Sequence, residues 1–374
     1  MHIGLDALLL HGSYSGVEQS IYHLLCELSR EGGPHRYSVY VTRDFGGGHL
    51  TRPGFAFHRL GFRGRERLRR AAWTHLAFAR RAREDSLDLL HGPGYILPWR
   101  WRGRSVVTVY DIIALTHPHL CTRANALYYR LFLPRTIARA TAVVVPSEAV
   151  REQIVARLGT SPEKLHVAPL GVGPEFTPHL DRDEVLQAVA RYGIQQPYFL
   201  CVGNVEPKKN LAATVEAFAL AKRKARLPHQ LVLGGGKSWR SGDVQRAVAR
   251  LPGEAVHWTG YVAGRDLPPL VAGADLLLFW SLVEGFGLPA VEAMACGTPV
   301  ICSDRGALPE VVGDAAVIVP IGPPSELAEA ILTVLRDSEF RAGLAQRGPE
   351  RARAFTWRSH ADAVLRVYDQ VRQT

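Results

Sequence analysis

Glu284-Gly285-Phe286-Gly287-Leu288-Pro289-Ala290-Val291-Glu292 follows the apolar run Ala274 to Trp280 and opens a helical stretch. Gly285 and Gly287 let the backbone approach a ligand closely, and Pro289 suits a first helical turn, where its missing N–H loses nothing. Strand, glycine loop and helix together predict a helix N-terminus beside a loop carboxylate, and N–H groups there bind phosphate or sugar oxygens. Glu284 in the loop and Glu292 about a turn into the helix are placed to address different parts of one extended ligand. Ionised carboxylates only accept hydrogen bonds, which matches the donor hydroxyls of sugars. Either acid alone reads as an ordinary helix-start residue; the whole string singles them out.

Outward from this string, strand-like and helix-like runs alternate. Downstream come strands Val300 to Cys302 and Ala316 to Val319, then helices Ser325 to Leu335, Glu339 to Ala354 and Trp357 to Val371. Upstream lie strands Tyr198 to Val202, Gln230 to Leu233 and Val256 to Trp258, with helices Leu211 to Lys222, Asp243 to Ala249 and Leu267 to Ala272 between and after them. A proline- and charge-bearing zone from Pro174 to about Asp183 interrupts the pattern. Before it, a second alternation starts with strand His2 to Leu10, the small-residue loop His11 to Gly16 and helix Val17 to Ser29. It continues through strands Tyr37 to Val41, Leu87 to Leu90, Val106 to Tyr110 and Thr141 to Val145, with helices Ala124 to Arg139 and Glu148 to Leu158. This predicts an α/β protein with mostly parallel, doubly wound sheets. A chain of 374 residues exceeds one ordinary core and fits two domains, expected at 1–180 and 184–356.

A hydrophobic fraction of 47% and a charged fraction of 21% exclude a disordered or fibrous chain. No apolar run approaches the roughly 20 residues of a membrane-spanning helix, and Met1 to Asp6 lacks the pattern of a signal peptide, so a cytoplasmic protein is expected. The five cysteines, Cys26, Cys121, Cys201, Cys296 and Cys302, are scattered and lack metal-site spacing. A net charge of +10 points to an anionic partner: a nucleotide, a nucleic acid or a membrane surface. Charge gathers from Arg59 to Arg83, interleaved with Leu68, Trp73, Leu76 and Phe78. That stretch reads either as a solvated helix face or as a basic amphipathic helix lying on anionic lipid, peripheral at the inner face of the cytoplasmic membrane.

The nine-residue string resembles the Glu-seven-Glu motif of the family 4 retaining glycosyltransferases. Ala293 to Val300, Leu308 to Gly313, Gly260-Tyr261-Val262 and Phe355-Thr356-Trp357 are similar to the same family. The resemblance covers nearly the whole chain and implies the GT-B architecture: two Rossmann-like domains facing a central cleft, the last helix, 357–374, crossing back to the first. It implies that Glu284 with Phe286, Gly287 and Leu288 holds the donor hexose, that Glu292 binds the ribose, and that Tyr261 and Val262 contribute to the base pocket. Gly16 would lie against the donor phosphate.

Gly203-Asn204-Val205-Glu206-Pro207-Lys208-Lys209-Asn210 ends the strand at Val202, where positive charge neutralises a diphosphate and the charge growing on it as the sugar leaves. Lys209 matches the family lysine. Asn204 stands where the family often has arginine, with Lys208 as the nearest compensating cation; the plainer reading is surface lysines at a helix start. In the first domain Tyr110 replaces the histidine that many relatives place before the aspartate, here Asp111, and packing at a strand end is its plainer role. His91 and His117 are acceptor-site candidates, and Ser147 resembles a recurrent family serine. Gly234-Gly235-Gly236-Lys237 lacks the spacing of a P-loop. Asp181-Arg182-Asp183 mimics a metal motif but is expected in the interdomain linker.

The expected activity is transfer of a hexose with retention, from GDP-mannose ahead of a UDP-hexose, to a hydroxyl of a glycan, a lipid-linked molecule or a small molecule. Leu90-His91-Gly92-Pro93, Tyr110-Asp111-Ile112-Ile113 and Val205-Glu206-Pro207-Lys208-Lys209-Asn210 resemble a subgroup of bacterial polysaccharide mannosyl- and related transferases, which implies GDP-mannose. No catalytic metal, no other cofactor and no nucleic-acid partner are expected. The alternatives are a sugar-nucleotide epimerase on the same architecture, which needs no acceptor, and a non-enzymatic protein that binds polyanions or membranes.

Overall fold

The computed structural model describes residues 1–12, 16–31, 34–47, 50, 52–236, 241–251 and 253–373. The chain divides into two compact units, the first made of Met1–His119, Arg123–Gly171 and Trp357–Thr374, the second of Leu120–Thr122 and Val172–Thr356.

The first unit holds β1 (His2–Asp6), α1 (Gly16–Glu31), β2 (Arg36–Val41), β3 (Phe55–Arg59), α2 (Arg67–Ala72), α3 (Phe78–Glu84) and β4 (Leu89–Gly92). It continues with β5 (Arg104–Thr108), α4 (Ile113–Thr116), α5 (Arg123–Arg139), β6 (Ala142–Val145), α6 (Glu148–Leu158) and β7 (Leu165–Val167). All seven strands are parallel, in the order β3-β2-β1-β4-β5-β6-β7, with Ile3 opposite both Tyr37 and Leu89. Alternate strand residues face opposite sides, as the two-residue period dictates. Ile3, Leu5, Val106 and Val144 join a core with Leu25 of α1, whereas Leu90, Val107, Val143 and Val145 pack with Phe78, Ile137 and Ile154 on the other face. Ser147 caps α6 by accepting from the Val150 N–H at 3.2 Å, and Gly159 ends that helix in the left-handed conformation.

The second unit holds α7 (Arg182–Arg191), β8 (Tyr198–Val202), α8 (Leu211–Ala225), β9 (Gln230–Gly234), α9 (Gly242–Val248), β10 (Val256–Gly260), α10 (Leu267–Ala272) and β11 (Leu276–Phe279). α11 (Leu288–Ala295), β12 (Val300–Ser303), α12 (Leu308–Val312), β13 (Val317–Val319), α13 (Pro324–Arg336) and α14 (Ser338–Ala352) follow. Its six parallel strands run in the order β10-β9-β8-β11-β12-β13. Phe199, Cys201, Leu231, Leu233, Leu276 and Leu278 face one side and pack with Val215 and Phe218 of α8 and Leu327 and Ile331 of α13. The last helix, α15 (Trp357–Gln373), belongs to the first unit, where Ala361, Val364 and Tyr368 enter the core beside α1.

Three features differ from the sequence expectation. The second unit begins at Val172, ahead of the zone read as the boundary, because the Val172 N–H donates to the Phe355 carbonyl at 3.1 Å and Val172 bridges Thr356. Asp181-Arg182-Asp183 is no linker: Asp181 caps α7, accepting from the Asp183 N–H at 2.6 Å. Strands β3 and β7 were unread, one mixed in polarity and the other only three residues long. Among the described residues no helix is long and apolar enough to cross a membrane, and no disulfide joins any of the five cysteines.

Candidate active site

Open α/β sheets bind ligands beyond the carboxyl ends of their strands, where the strand order reverses. In the second unit this point lies between β8 and β11. The loop after β8 carries Lys208 and Lys209; the loop after β11 carries Glu284. A backbone bond from Leu282 N–H to the Lys208 carbonyl, 2.8 Å, ties the two loops together. Lys209 Nζ donates to Glu284 Oε1 at 2.7 Å and lies 4.2 Å from the centre of the Phe279 ring, while Lys208 Nζ stands 3.9 Å from Glu284 Oε2. Burial pushes the Glu284 carboxyl up, and the Lys209 and Lys208 ammonium groups more than offset it, so the group is held below its usual range. Burial also pulls Lys209 down, against the opposing pull of Glu284. The result is an ionised cluster in which two cations face one buried carboxylate.

Glycine makes this loop possible at two positions. Gly287, the residue before α11, has φ of 104°, and a side chain there would also meet Leu308. A Cβ on Gly306 would fall 2.0 Å from the Glu284 carbonyl, which accepts from the Ala307 N–H at 3.0 Å. Phe286 is buried edge-to-face on Phe355, fixing the loop, and Leu288 begins α11. Glu292 is buried on α11; desolvation, then the Glu175 carboxylate, push its carboxyl up to about 7, with Lys209 opposing. Tyr261 is 54% exposed at the carboxyl end of β10 and Val262 packs beside Gly234. Asn204 is exposed. The structure thus gathers Lys208, Lys209 and Glu284 directly, with Glu292 electrostatically coupled to Lys209. Glu175 escaped the sequence reading because it sits over a hundred residues from Glu292 in a segment read as linker.

The first unit reverses between β1 and β4. Beyond these strand ends, Asp111 accepts from the Tyr95 hydroxyl at 3.0 Å and from the Ile113 N–H at 3.1 Å. Tyr95 has φ of 73°, a left-handed conformation that strains a bulky side chain and is held where surrounding structure enforces it. Asp6, at the end of β1, also went unread; burial pushes its carboxyl up to about 6. Tyr110 is buried against Tyr95 and Ser20, in line with the packing role. His117 ends α4 with Nδ1 2.9 Å from Thr116 Oγ1. Gly16 opens α1 and is exposed, but Ser13 to Ser15 of the expected phosphate loop, like Lys237, lie outside the described residues.

His91 corrects an expectation. It lies inside β4, 0% exposed, with Nδ1 2.6 Å from the Tyr368 hydroxyl and Nε2 2.9 Å from Thr108 Oγ1. Burial pulls its pKa down to about 3, so it is a neutral ring joining α15 to the sheet rather than an acceptor contact. The arginine-rich stretch is helical without a break from Arg67 to Glu84, a π-turn at Trp73–Ala77 joining α2 to α3, and Phe78, Ala79 and Ala82 enter the core. Arg69, Arg80 and Arg81 pair with Glu66, Glu84 and Asp85, leaving Leu68 and Leu76 exposed.

Two parallel α/β units, one with a lysine-clamped carboxylate and a helix start at its switch point, define the GT-B class of glycosyltransferase. Residues 187–351 match the family described as Glycosyl transferases group 1, and residues 14–176 match Glycosyltransferase Family 4. The O-antigen chain mannosyltransferase B of Escherichia coli is 31% identical over 303 residues, 80% of this chain and 77% of that protein. The MMP alpha-(1->4)-mannosyltransferase of Mycolicibacterium hassiacum is 34% identical over 232 residues, 60% of this chain and 53% of that protein. The solved structure of Anabaena HepE in complex with UDP-glucose matches with a TM-score of 0.77 at 20% identity, over 99% of this chain and 100% of that one, a likeness of fold. The chain belongs to the family 4 glycosyltransferases, in their mannosyltransferase-like subgroup.

Proposed function

We propose that this glycosyltransferase moves a hexose from a nucleotide sugar to a hydroxyl with retention at the anomeric carbon. The observation that carries the reading is the Lys208–Lys209–Glu284 cluster at the switch point of the second unit. On donor binding, Lys209 and Lys208 face the diphosphate and stabilise the charge that grows on it as the glycosidic bond breaks. Glu284 accepts from hexose hydroxyls, the first turn of α11 addresses the phosphate, and Glu292 accepts from the ribose. Tyr261 and Val262 flank the base, and Asn204 completes the donor contacts of the second unit. The departing phosphate oxygen takes the proton of the attacking hydroxyl on the same face, so no enzymatic nucleophile is required. In this reading the lysines and the helix start supply the positive charge, and no catalytic metal is called for. Asp111, held by Tyr95, together with His117 and Tyr110, marks the acceptor end of the first unit.

Two mannosyltransferase relatives favour GDP-mannose as donor, ahead of the UDP-hexose bound by HepE. The acceptor is a glycan, a lipid-linked molecule or a small molecule. Exposed Leu68 and Leu76 among arginines support a peripheral position on an anionic membrane from the cytoplasmic side. A thermal-shift panel of GDP, UDP, ADP and dTDP tests the donor: GDP should stabilise most, UDP in first place would move the donor to a UDP-hexose, and no selective stabilisation would sink the transferase reading. Product analysis with GDP-mannose alone separates transfer from epimerisation, which proceeds without an acceptor.

A further inference from the structure

The first unit contains a cationic site at the opposite end of β5 from Asp111. A cavity of about 380 Å³ opens between the segment before β5 and the last turns of α5. Its wall carries Arg100, Arg102, Arg135 and Arg139 beside Trp99 and Phe132. β5 starts at Arg104 and α5 ends at Arg139, so the cavity lies at the amino ends of β5 and β6. Tyr95 and Asp111 lie past the carboxyl ends of β4 and β5 and Asp6 ends β1, the length of a five-residue strand away, roughly 15 Å.

The arginines of this cavity differ from others in the same unit. Arg30, Arg69, Arg80 and Arg81 each pair with a neighbouring carboxylate. Among the described residues, none of Arg100, Arg102, Arg135 and Arg139 makes an ion pair. Arg139 donates to the Trp99 and Trp101 carbonyls, and Arg135 to the Leu131 carbonyl, bonds that fix the guanidinium groups without neutralising them. Burial and then the Arg102 charge pull Arg139 below its usual range, a sign of like charges held close. All four arginines are exposed to water, and their gathering around one cavity, without a carboxylate among them, concentrates a positive field that an anion would neutralise. Guanidinium forks match the several oxygens of a tetrahedral phosphate, and four of them exceed what one carboxylate needs.

We propose that this cavity binds a phosphate group, borne either by a phospholipid headgroup or by a soluble phosphorylated molecule. Trp99, 48% exposed, gives the site an apolar rim on which the rest of such a ligand rests. The site is independent of the donor cluster, which lies in the other unit.

The full chain is tested in two arms. Inorganic phosphate is titrated with GDP and UDP both present, so that the donor site is filled. Vesicles of equimolar phosphatidylglycerol and phosphatidylcholine are compared with pure phosphatidylcholine by co-sedimentation. The variants are Arg102→Glu/Arg135→Glu, a milder Arg102→Gln/Arg135→Gln, and the control Arg182→Glu/Arg353→Glu, which changes exposed arginines of the second unit. The site predicts phosphate binding at least about ten-fold weaker in both cavity variants, from the loss of charge-assisted hydrogen bonds, and unchanged in the control. Cavity-dependent sedimentation with the anionic vesicles assigns the phosphate to a lipid; phosphate binding without it assigns a soluble ligand. No binding by the wild type in either arm, or equal loss in the control, overturns the proposal.

Discussion

The two sheets reverse their strand order at corresponding places, β1 beside β4 and β8 beside β11, yet the chemistry beyond those strand ends is opposite in kind. The second unit presents an ionised cluster: Lys208 and Lys209 on Glu284, with Glu292 nearby. The first presents Asp111 under the strained Tyr95, a buried Tyr110, and Asp6 with its carboxyl pushed up to about 6. Charge of both signs suits a diphosphate with its attached hydroxyls, whereas weakly charged, aromatic surroundings suit a neutral acceptor. In the proposed function this contrast corresponds to donor work in the second unit and acceptor work in the first.

The sharpest way to break this contrast is Lys209→Ala. Turnover should fall more than ten-fold, and the stranded Glu284 carboxylate should destabilise the fold by about 3 kcal/mol, measured by rates of nucleoside diphosphate release and by denaturant melts. Wild-type turnover would defeat the assignment of the lysine.

Glu292 sharpens the electrostatic half. Its folded pKa near 7 lies above the ordinary 4.5, so between those values the native state holds a proton that the unfolded chain has lost. Stability from this group is complete below about pH 4.5 and is lost as pH rises to 7. Glu292→Gln, which keeps the neutral form, should therefore exceed the wild type in stability at pH 8 by on the order of 2–3 kcal/mol, the gain vanishing at pH 4.5. A gain that is independent of pH would disprove the shift.

In the first unit, His91→Phe separates scaffold from site. Removing the partner of Tyr368 and Thr108 should cost about 1–3 kcal/mol, with kcat/KM changed less than about two-fold. A large fall in kcat/KM at full stability would return His91 to the acceptor candidates. The smallest effect is expected from Tyr95→Phe, which frees Asp111 and should raise the acceptor KM about three-fold, an interaction near 1 kcal/mol, while leaving nucleotide affinity unchanged.

How much of this was legible in the sequence follows from how local each signal is. The bounds of α6 were readable because Ser147 and Gly159 mark its ends, and the loop before α11 because its glycines, proline and carboxylates are contiguous. The Lys209–Glu284 pair joins residues 75 apart, so the lysine was readable as a diphosphate contact but not as the partner of that carboxylate. His91 was misplaced because a histidine before Gly92-Pro93 looks like a loop residue, and only the register of β4 with β1 and β5 shows it buried. The positive φ of Tyr95 has no sequence signature, since nothing in a tyrosine announces it. α7 was hidden by reading Pro174 to Asp183 as a linker, although Asp181 is an ordinary helix cap.

Titration calorimetry of GDP and UDP against the wild type and Glu292→Ala tests the central claim, that the second unit holds the nucleotide of the donor. The account predicts that the wild type binds one of the two and that the variant binds it at least about ten-fold more weakly, through the lost acceptor for ribose hydroxyls. Equal affinity in the two proteins, or no binding of either nucleotide by the wild type, would contradict it.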